Sequence, residues 1–267
     1  MPLVRTVLGD IDSSALGVTD AHDHLLIRSG LVLTMEPGFR LDSVDVAVRE
    51  VRDFQKFGGQ ALVDTAPLGF GRDPEGLVAI ARQTGLHVIA CTGFLKPGYY
   101  LDSHWRNHYS TEEIASLLSD EIERGMDQHG YEGPLVKRSA ARAGAIKVAS
   151  DYQVVDRRAR VAFEAAVIAH RATGAPILTH TEIGTMALEQ VKLLELLGVQ
   201  PAHVVLSHVD RNPDWIVHRD VAQTGVFLEY DGAGRAVREP PETNCRATRV
   251  EIELAARPEY SIAQENT

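Results

Sequence analysis

Disulfides have almost nothing to form from in this chain. Two cysteines, Cys91 and Cys245, are present among 267 residues, and Cys91 sits inside an apolar run (87–94) where a buried thiol is expected. That usage excludes a disulfide-stapled secreted scaffold and fits a reducing compartment. Long hydrophobic runs are also missing, since no stretch approaches the ~20 apolar residues needed to cross a bilayer. The opening residues, MPLVRTVLGDIDSSALG, lack the apolar core and small-residue cleavage site of a secretory signal, so a cytoplasmic location is expected. Positive charge is scarce: 27 Lys and Arg stand against 37 Asp and Glu, a formal net charge of -10. Such a surface repels nucleic acid and anionic membranes, and neither is expected as a partner. No G-x-G-x-x-G follows the first apolar strand, which argues against a dinucleotide-binding open sheet.

What is present is one core's worth of apolar residues, 44% of the chain, in a strict alternation of short and long segments. Strand-like apolar runs are expected at 18–27, 60–67, 87–94, 143–150, 176–182, 203–209 and 226–231. Between them lie stretches of helical period at 42–57, from Pro74, at 110–128, 156–173, 184–197 and 213–224. Ser110 and Glu113 have the spacing of a capping box. Pro74 suits a first helical turn. Repeated strand–helix units indicate an α/β class with parallel strands, and seven of them favour a barrel. The expected fold is a parallel α/β barrel with seven recognisable strands in a single domain over 1–267.

Parallel barrels collect the C-terminal ends of their strands at one mouth, where distant residues can meet. His22 and His24 stand two apart on the first strand and so face one side. His180 ends the fifth strand and His208 the sixth. Lys147 lies between Ile146 and Val148 on the fourth, where burial of an ammonium is costly and favours the neutral amine. Either it pairs with a buried carboxylate, or it adds carbon dioxide to form a carbamate with two ligating oxygens. Each histidine alone is read more readily as a satisfied structural side chain than as a ligand. Together they point to a metal centre, and metal ions can make water a nucleophile near neutral pH. The remaining histidines, His87, His104, His108, His129, His170, His203 and His218, are expected to be mostly exposed.

The stretches DAHDH (20–24), TGFLKPGYY (92–100), AGAIKVAS (143–150), THTEIGTMALEQ (179–190), SHVDRNPD (207–214) and EYDGAGR (229–235) resemble the phosphotriesterase family of the amidohydrolase superfamily. The resemblance implies a distorted (β/α)8 barrel with two divalent metals at its mouth, C-terminally incomplete in this chain, with an atypical tail at 236–267. His22 and His24 would bind the buried ion, His180 and His208 the exposed one, and carboxylated Lys147 would bridge them together with a hydroxide. Zinc is the expected metal, with manganese or cobalt as alternatives. Substrates implied are small lactones or organophosphate esters. Tyr99 (or Tyr100) and Arg235 match, loosely, a tyrosine and an arginine carried by lactone-preferring members. A homodimer is also suggested.

The family's eighth strand ends in an aspartate that binds the buried metal. The residues after Arg235, EPPETNCRATRVEIELAARPEYSIAQENT, contain no apolar strand of that kind. The sequence alone therefore leaves two readings, an active hydrolase and a catalytically impaired metal-binding relative or truncated product. A substitute carboxylate would have to come from Asp231 or Glu229, and nothing in the sequence alone assigns either to that role.

Overall fold

The computed structural model describes residues 2–232. Seven parallel strands form one curled sheet in sequence order: β3 (Val18–Asp23), β4 (Gly59–Asp64), β5 (His87–Gly93), β6 (Ala143–Ala149), β7 (Ile177–His180), β8 (Val204–Ser207) and β9 (Phe227–Leu228). Helices α1 (Val32–Met35), α2 (Val44–Lys56), α3 (Pro74–Thr84), α4 (Thr111–Glu123), α5 (Arg157–Thr173), α6 (Ala187–Leu196) and α7 (Trp215–Ala222) fall between the strands. All seven strands and the six main helices lie where the apolar periodicity places them, with shorter ends. This is the expected α/β architecture, a curled partial barrel. The atypical tail at 236–267 lies outside the described residues.

Strand alternation divides the interior in two. On β6, Ile146 and Val148 face outward into the large core shared with the helices. Ala145 faces inward, where it clusters with Cys91 and Leu178 and packs against Val63 and Val205. Lys147 is two residues beyond Ala145 and so belongs to the inner set. By the same parity His180 follows Leu178.

The helix ends are specified locally. Asp73, Asp156 and Asp214 accept backbone N–H bonds at the starts of α3, α5 and α7. The Ser110–Glu113 capping box is fully formed. Gly174 closes α5 at φ 75°, a left-handed position that glycine adopts without strain. α4 stops at Glu123, short of the expected 128. Buried Asp127 there accepts the backbone N–H groups of His129, Tyr131 and Lys137, so the chain turns back rather than continuing the helix.

Two features were not legible in the sequence. β1 (Leu3–Thr6) and β2 (Gly9–Asp12) form an antiparallel hairpin whose four-residue strands carry no Asn-Gly or Asp-Gly turn. β1 lies against β5 and β6. It is tied there by Val7 N–H to Val88 O (2.9 Å) and by Arg5 Nη1 to Ile122 O (2.6 Å). Two histidines expected to be exposed are buried. His170 bonds the Ala175 carbonyl, and His218 bonds the Asn212 carbonyl and the Tyr230 hydroxyl. Each ring caps the exit of a helix or loop, a partner that helical periodicity does not disclose. No helix among the described residues is long and apolar enough to cross a membrane.

Candidate metal centre at the strand ends

A β-bulge turns the first histidine inward. Asp20 pairs with Leu62 and Asp23 with Asp64, so Ala21 and His22 together stand opposite Val63. The extra residue shifts the phase of the strand at its C-terminal end. His22 thereby reaches His208, at 4.6 Å between ring centroids, and His24, at 5.9 Å. His208 in turn lies 4.6 Å from the His180 ring. The four imidazoles form a continuous arc across the mouth. His208 holds φ 67° just past β8, an uncommon conformation for a residue with a Cβ and one that clusters at functional sites.

Lys147 is 1% exposed. Burial lowers its ammonium to about 8, with the Glu229 carboxylate the largest opposing influence. Its Nζ lies 3.4 Å from Ser207 Oγ. Gly93 makes this placement feasible. It pairs with Lys147 across β5 and β6 at φ +101°, and a Cβ there would meet the Lys147 carbonyl oxygen at 2.0 Å.

Two carboxylates enter from the end of β9. Glu229 Oε2 is 2.9 Å from His22 Nδ1, and Asp231 Oδ2 is 2.5 Å from His208 Nδ1. They are two residues apart, and both reach the histidine arc. Donor atoms of His22, His208 and Asp231 all lie within 4.8 Å of one another. Glu182 Oε2 contacts both His180 Nε2 (2.7 Å) and Lys96 Nζ (2.9 Å). Glu182 was not singled out from the sequence. Its place immediately beyond a strand-end histidine was the signal available.

The electrostatics suit cation binding. Burial depresses all three of His22, His180 and His208, His180 to about 4 and His208 to about 3, so the rings are neutral ligands at pH 7. Burial raises Glu229 to about 7, while Asp231 falls to about 2, its burial, the largest single influence, outweighed by the hydrogen bond and charge of His208 together with the charge of Arg211. Glu229 Oε1 and Asp231 Oδ1 are buried with no hydrogen-bond partner. Neutral imidazoles, a poised amine and orphaned carboxylate oxygens are a donor set that fits divalent zinc, manganese or cobalt.

Of the two tyrosines, Tyr100 is structural. It is buried, donates to Leu68 O and accepts from Leu95 N–H. Tyr99 is half-buried, donates to Glu36 (2.7 Å), and packs on Phe70, which itself lies 5.5 Å from the His24 ring. It thus meets His24 through Phe70, and its ring lies 5.2 Å from the Lys96 ammonium that pairs with Glu182 beside His180. Arg235 lies outside the described residues.

A parallel α/β barrel with histidines gathered at its strand ends defines a class of barrel hydrolases. Within that class the chain belongs to the phosphotriesterase family, whose model matches residues 2–256. It is 38% identical over 236 residues to a phospho-furanose lactonase of Mycoplasmopsis agalactiae, covering 87% of this chain and 67% of that protein. An aryldialkylphosphatase of Saccharolobus solfataricus is 29% identical over 231 residues, covering 84% and 68%. The crystal structure of an amidohydrolase from Mycoplasma synoviae superposes with a TM-score of 0.88 at 38% identity, covering 94% of this chain and 72% of that one.

Proposed function

We propose that this chain is a metal-dependent hydrolase that opens lactones, with a phosphorylated furanose lactone as the preferred substrate. The observation carrying this reading is the convergence of His22, His24, His180, His208 and Lys147 on one barrel mouth beside two buried carboxylates. The family supports hydrolysis, and the substrate class follows the name of the 38% identical Mycoplasmopsis relative. His22 and His24 would hold one divalent ion, His180 and His208 a second, and Lys147 as a carbamate would join them. When bound, such ions supply an activated water and polarise the ester carbonyl.

This chain's own groups set the stage for that chemistry. Burial keeps the imidazoles unprotonated and therefore able to ligate. Lys147, lowered to about 8, offers a neutral amine in a useful fraction at neutral pH. Glu182 holds His180 and is itself anchored by Lys96. Phe70 and Tyr99 wall the His24 side of the mouth.

Turnover of a furanose lactone, its phosphorylated form and a chromogenic phosphotriester, each with metal supplied, tests the reading. The phosphorylated lactone should turn over fastest. His180→Ala should lower that rate by about 100-fold or more, while the metal-free forms of the variant and the unaltered protein unfold within about 1 kcal/mol of one another, as expected when a ligand rather than a packing residue is removed. Equal turnover by the variant would refute the assignment of His180.

A further inference from the structure

We propose that Glu229 is the positioning residue of His22: its carboxylate accepts the Nδ1 proton of that ring and thereby presents Nε2 to the metal. The proposal rests on the metal-dependent reading above and adds a role that the sequence could raise only as a substitution.

The geometry is specific. Glu229 Oε2 is 2.9 Å from His22 Nδ1, and both side chains are more than nine-tenths buried. The Glu229 backbone is fixed by its own N–H bond to Leu206 O at 2.8 Å, which extends the β8–β9 ladder one residue beyond the strand. Its second oxygen, Oε1, is buried without a partner. Burial of this carboxylate is offset by a hydrogen bond from Ser207 and by the nearby Lys147 ammonium, with His22 Nδ1 as a further donor. The histidine it touches belongs to the ligand set already described.

The chemistry explains why such a group is needed at this ring. A neutral imidazole carries its proton on one nitrogen and binds metal through the other, and the hydrogen bond at the first decides which. A carboxylate on Nδ1 fixes the tautomer and the ring plane and strengthens the remaining nitrogen as a donor. His22 sits at the bulge of β3, and Glu229 is the side-chain partner that meets its Nδ1 there. The reverse arrangement, with a protonated Glu229 donating to Nδ1, would leave the proton on Nε2 and close that nitrogen to metal.

Two measurements decide between these arrangements. In the metal-depleted full-length protein, nitrogen-15 imidazole spectra at pH 8 should show His22 as the Nδ1–H tautomer. The Nε2–H tautomer would overturn the proposal without any variant being made. Zinc is then titrated against a chromophoric chelator. Glu229→Ala should weaken one zinc by about 10–100-fold, the usual cost of removing such a partner. Glu229→Gln, whose amide oxygen still accepts the Nδ1 proton, should recover most of that affinity. Equal affinity in the alanine variant and the unaltered protein overturns the inference alone. Equal loss in both variants also overturns it, because charge or direct ligation would then be the role. Failure of the unaltered protein to bind zinc overturns the metal-dependent reading and the inference with it.

Discussion

Lys147 shows how one buried residue ties the fold to chemistry. Its parity on β6 sends it inward with Ala145, and burial brings its ammonium down to about 8. The unfolded chain keeps that proton up to the ordinary value of 10.5. Unmodified Lys147 therefore destabilises the fold below about pH 8, and the penalty shrinks as pH rises from 8 toward 10.5. Carbamate formation needs the neutral amine, so uptake of labelled bicarbonate into a carbamate carbon signal should grow as pH rises through 8. Lys147→Ala should abolish the signal. A signal that persists in the variant would place the carbamate elsewhere. The five ligand candidates were readable from residue type at strand ends. Glu229 as the partner of His22 was not, because strand parity says which way a carboxylate faces but not which ring it meets.

At the scale of elements, β5 and β6 are joined at the site by a glycine. Gly93→Ala would force a Cβ against the Lys147 carbonyl and hold a left-handed φ, at a cost of about 3 kcal/mol from strain and overpacking combined. Urea unfolding measures it, and a loss under about 1 kcal/mol would show that the ladder yields there. The N-terminal hairpin is held by Asp10, which contacts Arg5 and Arg142. The hydrogen bond from Arg5 pulls the Asp10 carboxyl below its ordinary 3.8. Its contribution is present above that value and lost as pH falls below it. Because these groups are partly exposed, Asp10→Asn should cost less than about 1 kcal/mol at pH 7 and a smaller amount near pH 3. Thermal unfolding at the two pH values checks the sign. Strands and helices were legible because their apolar periods are regular and their caps are conventional. The hairpin was not, since four-residue strands carry too little pattern. The bulge in β3 was not, since DAHDH reads the same with or without an extra residue opposite Val63.

Across the whole molecule, a single parallel sheet in chain order brings residues from 22 to 231 to one mouth. The fold makes the site by topology, so no local stretch contains it. That is why the resemblance needed six separated motifs, and why any one of them was weak. The net charge of -10 opposes the approach of a phosphorylated substrate unless the mouth itself is cationic, and bound metal would make it so. Removing metal should therefore both abolish turnover and lower the midpoint of thermal unfolding, because the ligands are buried side by side and repel or strand one another without it. Restoring zinc should recover both. A midpoint unmoved by zinc would mean that the cluster is satisfied on its own.

The central claim is that four histidines and Lys147 hold two ions. Elemental analysis of soluble protein, purified without chelator and in bicarbonate, tests it most directly. The account predicts about two divalent metals per chain, as a two-ion hydrolytic centre requires. Protein that is folded and free of metal under those conditions, and that takes up none when zinc is added, would contradict it.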